Sequence, residues 1–369
     1  MRIREPYRFV LELRRPDGTR LGQVPVAADW EPALEAARFV ALRERSLAVV
    51  GTAAVAEIRP AWHETLGRPY AGGVAVVVRL PGGGRVACRI PRAFFRAQAH
   101  AAALVLVEQG ALEVGDRFAY LLAAYPAATA SPGAASGNAG PAIEEVPVPL
   151  AIRQSVLADF VARSLSVGPS LPEDIPVFIP DRILWEADEM TRAAGGVETG
   201  SVLIGHVHRD GAGGDLFLEV TAQVPARNGQ ATATAVSFGP ETWSAVGSAL
   251  ELRGAGEQWI GWFHSHPASS WCNPDCPIEA RLRCPVQQRI ALSEADCLVH
   301  RTVFTQAHHV ALLVTNTDAG LRHALFGWRH GMIEPRGFNV LTNEKDQNRF
   351  AATIAAATVG DTQDEKPCR

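Results

Sequence analysis

Lysine is almost missing from this chain of 369 residues: Lys345 and Lys366 stand alone, leaving 33 of the 35 basic residues as arginine. Asp and Glu together number 39, so the formal charge is -4 and nothing in the balance drives the chain toward nucleic acid or an anionic surface. Long apolar runs are missing as well. No stretch approaches the roughly 18 uncharged apolar residues that a membrane-spanning helix needs. The amino end, Met1 to Pro6, has basic residues with no apolar signal core behind them. These absences predict a soluble, cytoplasmic protein. Cysteine is scarce and uneven, with Cys88 alone, Cys368 in the tail, and Cys272, Cys276, Cys284 and Cys297 crowded together. Without a secretion signal a disulfide scaffold is not expected, and clustered thiols point to reduced cysteine or to metal.

What is present is enough apolar residue, 47%, for real cores, in a chain longer than one ordinary domain. Tyr7 to Leu13 alternates like a strand, Pro16-Asp17-Gly18-Thr19 is a turn, and Leu21 to Val26 is a second strand. Asp29 then caps a helix that runs to Arg43. The order repeats with a strand at Val74 to Leu80, a turn at 81–84, a strand at Arg85 to Ile90 and a helix from about Ala93 to Gln109. Residues 1–125 therefore read as an α+β adaptor domain of unassigned role, either duplicated or of the ubiquitin-like kind that begins with a hairpin and a helix. Residues 126–150 are rich in Pro, Gly, Ala and Ser and read as a flexible linker. Residues 151–173 form a connector with a short helix, 174–335 a second domain, and 336–369 a segment whose end is disordered. In the second domain the pattern predicts a strand at Ile175 to Ile179 and a helix from Asp181 with Ile183, Leu184, Ala187 and Met190 as one stripe. Strands follow at Leu216 to Val224, Ala231 to Phe238, Gln258 to His266, Val310 to Thr315 and Arg322 to Arg329, with a helix at Pro240 to Leu252. The fold class is α+β, with a curved mixed sheet flanked by helices in the second domain.

The chemistry gathers at Trp262-Phe263-His264-Ser265-His266-Pro267. A strand sends alternate side chains to opposite faces, so His264 and His266 converge while Ser265 points away. Downstream, Ser293-Glu294-Ala295-Asp296 reads as a helix start with Ser293 as N-cap and Asp296 in the first turn. Two imidazoles and one carboxylate make a three-ligand zinc set with a fourth position left for water. Upstream, Glu198 precedes the Gly-punctuated apolar run Thr199-Gly200-Ser201-Val202-Leu203-Ile204-Gly205. His206 and His208 form another His-x-His with no carboxylate following in pattern, and read as edge or surface histidines.

Glu-Thr-Gly-Ser-Val-Leu-Ile-Gly, Gly-Trp-Phe-His-Ser-His-Pro and Ser-x-x-Asp, in this order, resemble the JAMM signature of the JAB1/MPN/Mov34 metalloprotease family across roughly Asp174 to Ile333. The resemblance implies a JAB/MPN-like domain in which His264, His266 and Asp296 hold catalytic zinc, Glu198 is the general base and Ser293 donates to the oxyanion. It implies a zinc-dependent isopeptidase or peptidase that cleaves after the C-terminal tail of a ubiquitin-like protein, by deconjugation or precursor trimming; the composition points to a bacterial setting, and activating or conjugating enzymes are candidate further partners. The scarcity of lysine follows from genomic codon bias, or else from an advantage in lacking acceptors beside such a conjugating system. The alternative is a catalytically silent MPN-type scaffold, against which the intact residue set argues.

One departure is the 26 residues at 267–292 between His266 and Ser293, a spacing far longer than in most relatives. Asp275 is thereby an alternative acid to Asp296, although Cys272 and not serine precedes it by three. The inserted stretch has few apolar residues to bury, so a staple is expected. A second, structural zinc on Cys272, Cys276 and Cys284, with a fourth ligand such as His300, His308 or Cys297, is one such staple; the usual Cys-x-x-Cys pair is lacking.

Overall fold

The computed structural model describes residues 2–44, 55–80, 83–127, 150–226 and 237–342. The expected linker, apart from residues 126, 127 and 150, and the C-terminal tail with both lysines and Cys368 lie outside the described residues, as does the strand expected at Ala231 to Phe238 up to residue 236. The fold is mixed α+β. It divides into two compact units, Met1–Leu150 with His330–Met332, and Ala151–Arg329 with Ile333–Arg369. No helix among the described residues is long and apolar enough to cross a membrane.

The first unit is built from strands β1 (Arg2–Arg4), β2 (Tyr7–Arg14) and β3 (Arg20–Pro25), helix α1 (Glu31–Arg43), strands β4 (Val55–Trp62), β5 (Tyr70–Arg79) and β6 (Arg85–Pro91), helix α2 (Arg96–Glu108) and strand β7 (Ala119–Pro126). The sheet order is β1-β4-β5-β7-β2-β3, and β6 also pairs with β5. Each hairpin is thus followed by a helix, and β7 joins the two hairpins by pairing antiparallel along the length of β2 and with Tyr70 and Ala71 of β5. Val74, Val76 and Val78 are fully buried at the strand period of two, while α1 buries Ala33, Leu34, Ala36 and Ala37 against the same core. The start of α1 differs from expectation by one residue. Trp30 occupies the cap position without a side-chain bond, and the Asp29 carboxylate accepts from the Glu31 N–H at 3.0 Å.

The second unit opens with β8 (Ile152–Ser155), α3 (Leu157–Ala162) and β9 (Ser164–Val167). There follow β10 (Val177–Pro180), α4 (Asp181–Ala194), β11 (Gly200–Asp210), β12 (Leu216–Pro225), α5 (Pro240–Arg253) and β13 (Gln258–His266). Three short helices, α6 (Ala268–Trp271), α7 (Ile278–Leu282) and α8 (Pro285–Gln288), occupy the inserted stretch before α9 (Glu294–Thr302). Strands β14 (Val310–Thr317), β15 (Gly320–Arg329), β16 (Met332–Arg336) and β17 (Phe338–Leu341) complete a curled mixed sheet of order β16-β15-β14-β13-β11-β12-β10-β17-β9. The connector 151–173 supplies two strands to it, β8 beside β11 and β9 beside β17. The stripe on α4 runs Ile183, Leu184, Ala187 and then Thr191, not Met190; the Thr191 hydroxyl donates back to the Ala187 carbonyl and so enters the core satisfied.

Strand β13 lies inside the sheet, antiparallel to β11 and parallel to β14. Its approach to β14 is close enough that a Cβ at Gly261 would overlap the Val310 carbonyl oxygen, which accounts for glycine there. Beneath it Trp262, Phe304, Ala311, Leu313 and Phe326 form one core cluster. Trp262 and Phe304 are wholly buried, an arrangement in which each ring contributes roughly 2–3 kcal/mol by leaving water.

Candidate metal centre

Register explains how residues 60 to 100 apart in sequence meet. Gly200, the first residue of β11, pairs with His264 in the antiparallel ladder. Continuing that ladder two residues outward sets residue 198 opposite residue 266, and Glu198 Oε1 lies 3.8 Å from His266 Nε2. Ser293 and Asp296 form the capping box read from sequence: the Ser293 N–H donates to Asp296 Oδ2 at 2.7 Å, and Ser293 Oγ accepts from the Asp296 N–H at 3.1 Å. The cap locks the carboxylate in the first turn of α9 and aims it at the strand.

His264 Nε2 and His266 Nε2 are 3.1 Å apart, and each is 3.2 Å from Asp296 Oδ2. All three residues are buried. This near-equilateral triangle matches a face of the tetrahedron around an ion bound at about 2.0–2.1 Å, whose edge is about 3.3 Å. Two imidazole nitrogens and a carboxylate oxygen are the donors such an ion takes, although they do not single out zinc. Among the described residues this is the one group of three or more such donors lying within 4.8 Å of one another. Glu198 Oε2 is buried with no hydrogen-bond partner.

The electrostatics agree with a cation site. Burial pushes the Glu198 carboxyl up to about 8, and the charge of Asp296 adds to the effect. Burial also acts to raise Asp296, but the hydrogen bonds of His264 and His266, with the Ser293 N–H, outweigh it and hold that carboxyl far below the usual range. Burial lowers His264 despite the opposing pull of Asp296, which keeps the ring in the neutral form that ligates.

Two supports escaped the sequence reading. Ser265, which faces away from the ligands, accepts from the Thr199 N–H at 3.0 Å through Oγ, while its own N–H donates to the Thr199 carbonyl at 2.9 Å. It thereby ties the residue after Glu198 to the ligand strand. Trp262 stacks on His264 with ring centroids 4.5 Å apart and is stacked in turn by Phe304; its indole N–H donates to His300 Nδ1 at 3.0 Å. His300 is thus spent as an acceptor in the core.

The inserted stretch is stapled by polar side chains, with Cys272 and Cys284 in side-chain hydrogen-bond contact. Among the described residues, Cys272, Cys276 and Cys284 belong to no group of three ligand atoms within 4.8 Å, and all three are free thiols. The staple is Asp318, in the turn between β14 and β15. Its carboxylate takes Arg281 Nε and Nη2 at 2.9 and 2.7 Å and Gln287 Nε2 at 2.6 Å, while its N–H donates to Gln287 Oε1 at 2.7 Å. Gln287 reaches on to Cys272 Sγ, and the neighbouring Trp271 sets its ring 5.1 Å from that of His266. Asp275, the alternative acid, lies exposed in the loop after α6 and bonds through its N–H to Asn273. His206 and His208, expected at an edge or surface, are instead 4% exposed: β11 has strand neighbours on both flanks, Phe160 and Phe217 pack on the His208 ring, and His206 packs edge-on against His208.

No family model matches the chain, and no curated protein matches it. Among solved structures, the solution structure of a protein from Desulfitobacterium hafniense is similar at 17% identity, over 46% of this chain and 97% of that one, with a TM-score of 0.32. At that score the likeness carries no inference.

Proposed function

We propose that the second unit is a zinc-dependent isopeptidase or peptidase of the JAB1/MPN/Mov34 kind, acting in the cytoplasm on the C-terminal tail of a ubiquitin-like protein. The observation that carries the reading is the triangle of His264, His266 and Asp296 with Glu198 Oε1 3.8 Å from one of its corners and Glu198 Oε2 buried without a hydrogen-bond partner. Bound by those three residues, zinc supplies a Lewis acid to the reacting carbonyl and makes water acidic enough to attack near neutral pH. Glu198 takes the proton of the attacking water and returns it to the departing nitrogen, the two halves of general acid-base catalysis that amide cleavage requires. Ser293 uses a lone pair of Oγ in the helix cap, so its O–H serves to donate to the tetrahedral oxyanion. Trp271, about one-third exposed beside His266, forms part of the rim a substrate tail meets.

Glu198→Gln tests the reading against the silent-scaffold alternative. Incubated with a lysine-linked conjugate of a ubiquitin-like protein, the wild type is expected to release the free protein. Glu198→Gln is expected to slow release at least 100-fold while retaining one zinc per chain, and chelation should abolish the wild-type rate until zinc is restored. Equal rates for Glu198→Gln and wild type, or no zinc bound at the triangle, would sink it.

A further inference from the structure

At the opposite end of β11 from the metal ligands, a serine, a histidine and a carboxylate stand in line. Ser155 Oγ lies 2.7 Å from His208 Nδ1, and His208 Nε2 lies 3.1 Å from Glu219 Oε2. A carboxylate only accepts, so Nε2 carries the ring proton and Nδ1 is left to accept the Ser155 O–H. Glu219 is suited to this part: burial acts to raise its pKa, but the hydrogen bond and charge of His208 outweigh it and hold the group low. The ring has little freedom. Phe217 stacks on it at 4.8 Å with planes 11° apart, and Phe160 lies against it at 5.3 Å, faces that favour an imidazolium when it forms. Ser155 ends β8 in register with Asp210, and its carbonyl is fixed by the Gly211 N–H at 2.9 Å.

The next residues border open space. Val156, Leu157, Val161 and Ala162, with Asp210 from the paired strand, line a hollow of about 480 Å³ whose wall is chiefly apolar. Val156 and Val161 are each about half exposed there. A nucleophile held against a base and the base oriented by a third group are parts of an acyl-transfer site, and the apolar hollow begins one residue beyond Ser155, at Val156.

We propose that Ser155 is the nucleophile of a second hydrolytic site, independent of the metal centre, that takes esters of short apolar acyl groups, with the acyl chain in this hollow. Ser155 Oγ attacks the ester carbonyl carbon as its proton passes to His208 Nδ1. The bond from that carbon to the alcohol oxygen breaks, and the same proton leaves with the alcohol. Water then attacks the acyl-serine, giving one proton to His208 and its oxygen to the carbonyl; the bond to Oγ breaks, the proton returns to Oγ, and the carboxylic acid departs. Glu219 keeps its charge throughout and steadies the imidazolium.

The test exposes the full chain, with chelator present throughout, to an alkyl fluorophosphonate, from which Oγ displaces fluoride. The expected result is a single phosphonyl adduct mapped to Ser155, none on Ser155→Ala, labelling slowed at least 100-fold in His208→Gln, and chelator-insensitive hydrolysis of p-nitrophenyl butyrate lost in the same variants. An unchanged wild-type mass after prolonged exposure, an adduct on another residue, or equal rates for wild type and His208→Gln overturns the proposal. The wild-type arm decides even if a variant fails to fold, and the chelator separates this outcome from failure of the metal-site reading.

Discussion

Ser265 sits between two ligands and touches neither, yet it holds the candidate base in place. Its Oγ accepts from the Thr199 N–H, and Ser265 itself is 1% exposed. Ser265→Ala is expected to leave zinc binding unchanged, to lower kcat at least tenfold with little change in KM, and to reduce stability by about 1 kcal/mol through the part-buried N–H left unpaired. Zinc analysis, steady-state kinetics on a cleavable conjugate and urea unfolding check the three parts. The residues that meet at the candidate site were legible because each obeys a local rule: alternation along a strand for His264 and His266, a four-residue cap for Ser293 and Asp296. The Ser265 to Thr199 tether spans 66 residues and the Trp262 to His300 bond spans 38. Neither has a local signature, and His300 in isolation is as good a ligand as an acceptor.

Among elements, the inserted stretch shows how polar side chains hold a loop poor in apolar residues. Three side-chain donors converge on Asp318, and Arg281 is bidentate, so the clasp joins α7 and α8 to the β14–β15 turn. Asp318→Asn cannot match two guanidinium donors and a glutamine amide, and should cost about 2 kcal/mol locally. Trypsin cleavage after Arg281 or Arg283 is expected to accelerate at least tenfold while zinc content stays the same; unaltered proteolysis would mean the segment is held elsewhere. Elements with strong periodicity, such as β2, β5 and α4, could be read from sequence alone. Strands β4 and β7 could not: Pro60 interrupts the first, and Ala-Tyr-Leu-Leu-Ala-Ala-Tyr lacks alternation in the second, which owes its place to partners on both sides. The four-residue strands β8, β9 and β17 likewise exist by pairing and not by pattern.

For the molecule as a whole, three buried histidines set an acid limit. Burial lowers His300 to about 3 and His308 to about 4, and holds His309 well below its ordinary value. In the unfolded chain each takes up a proton near pH 6.5, whereas the folded rings do not, so the unfolded state binds more protons and stability falls as pH drops below about 6.5. The loss is up to about 1.4 kcal/mol per pH unit for each ring and levels off only as the folded values are reached. Urea unfolding at pH 7, 6 and 5 should show a steepening decline, and a flat profile would mean the rings protonate in place. The sheet's layout has another consequence. Because β13 has hydrogen-bonded neighbours on both flanks, its two imidazoles can withdraw only if the ladder itself opens, whereas Asp296 needs no more than the fraying of one helical turn. An ion held there would be surrendered by the carboxylate corner first, and its residence time would be written in the lifetime of the Ser293 cap.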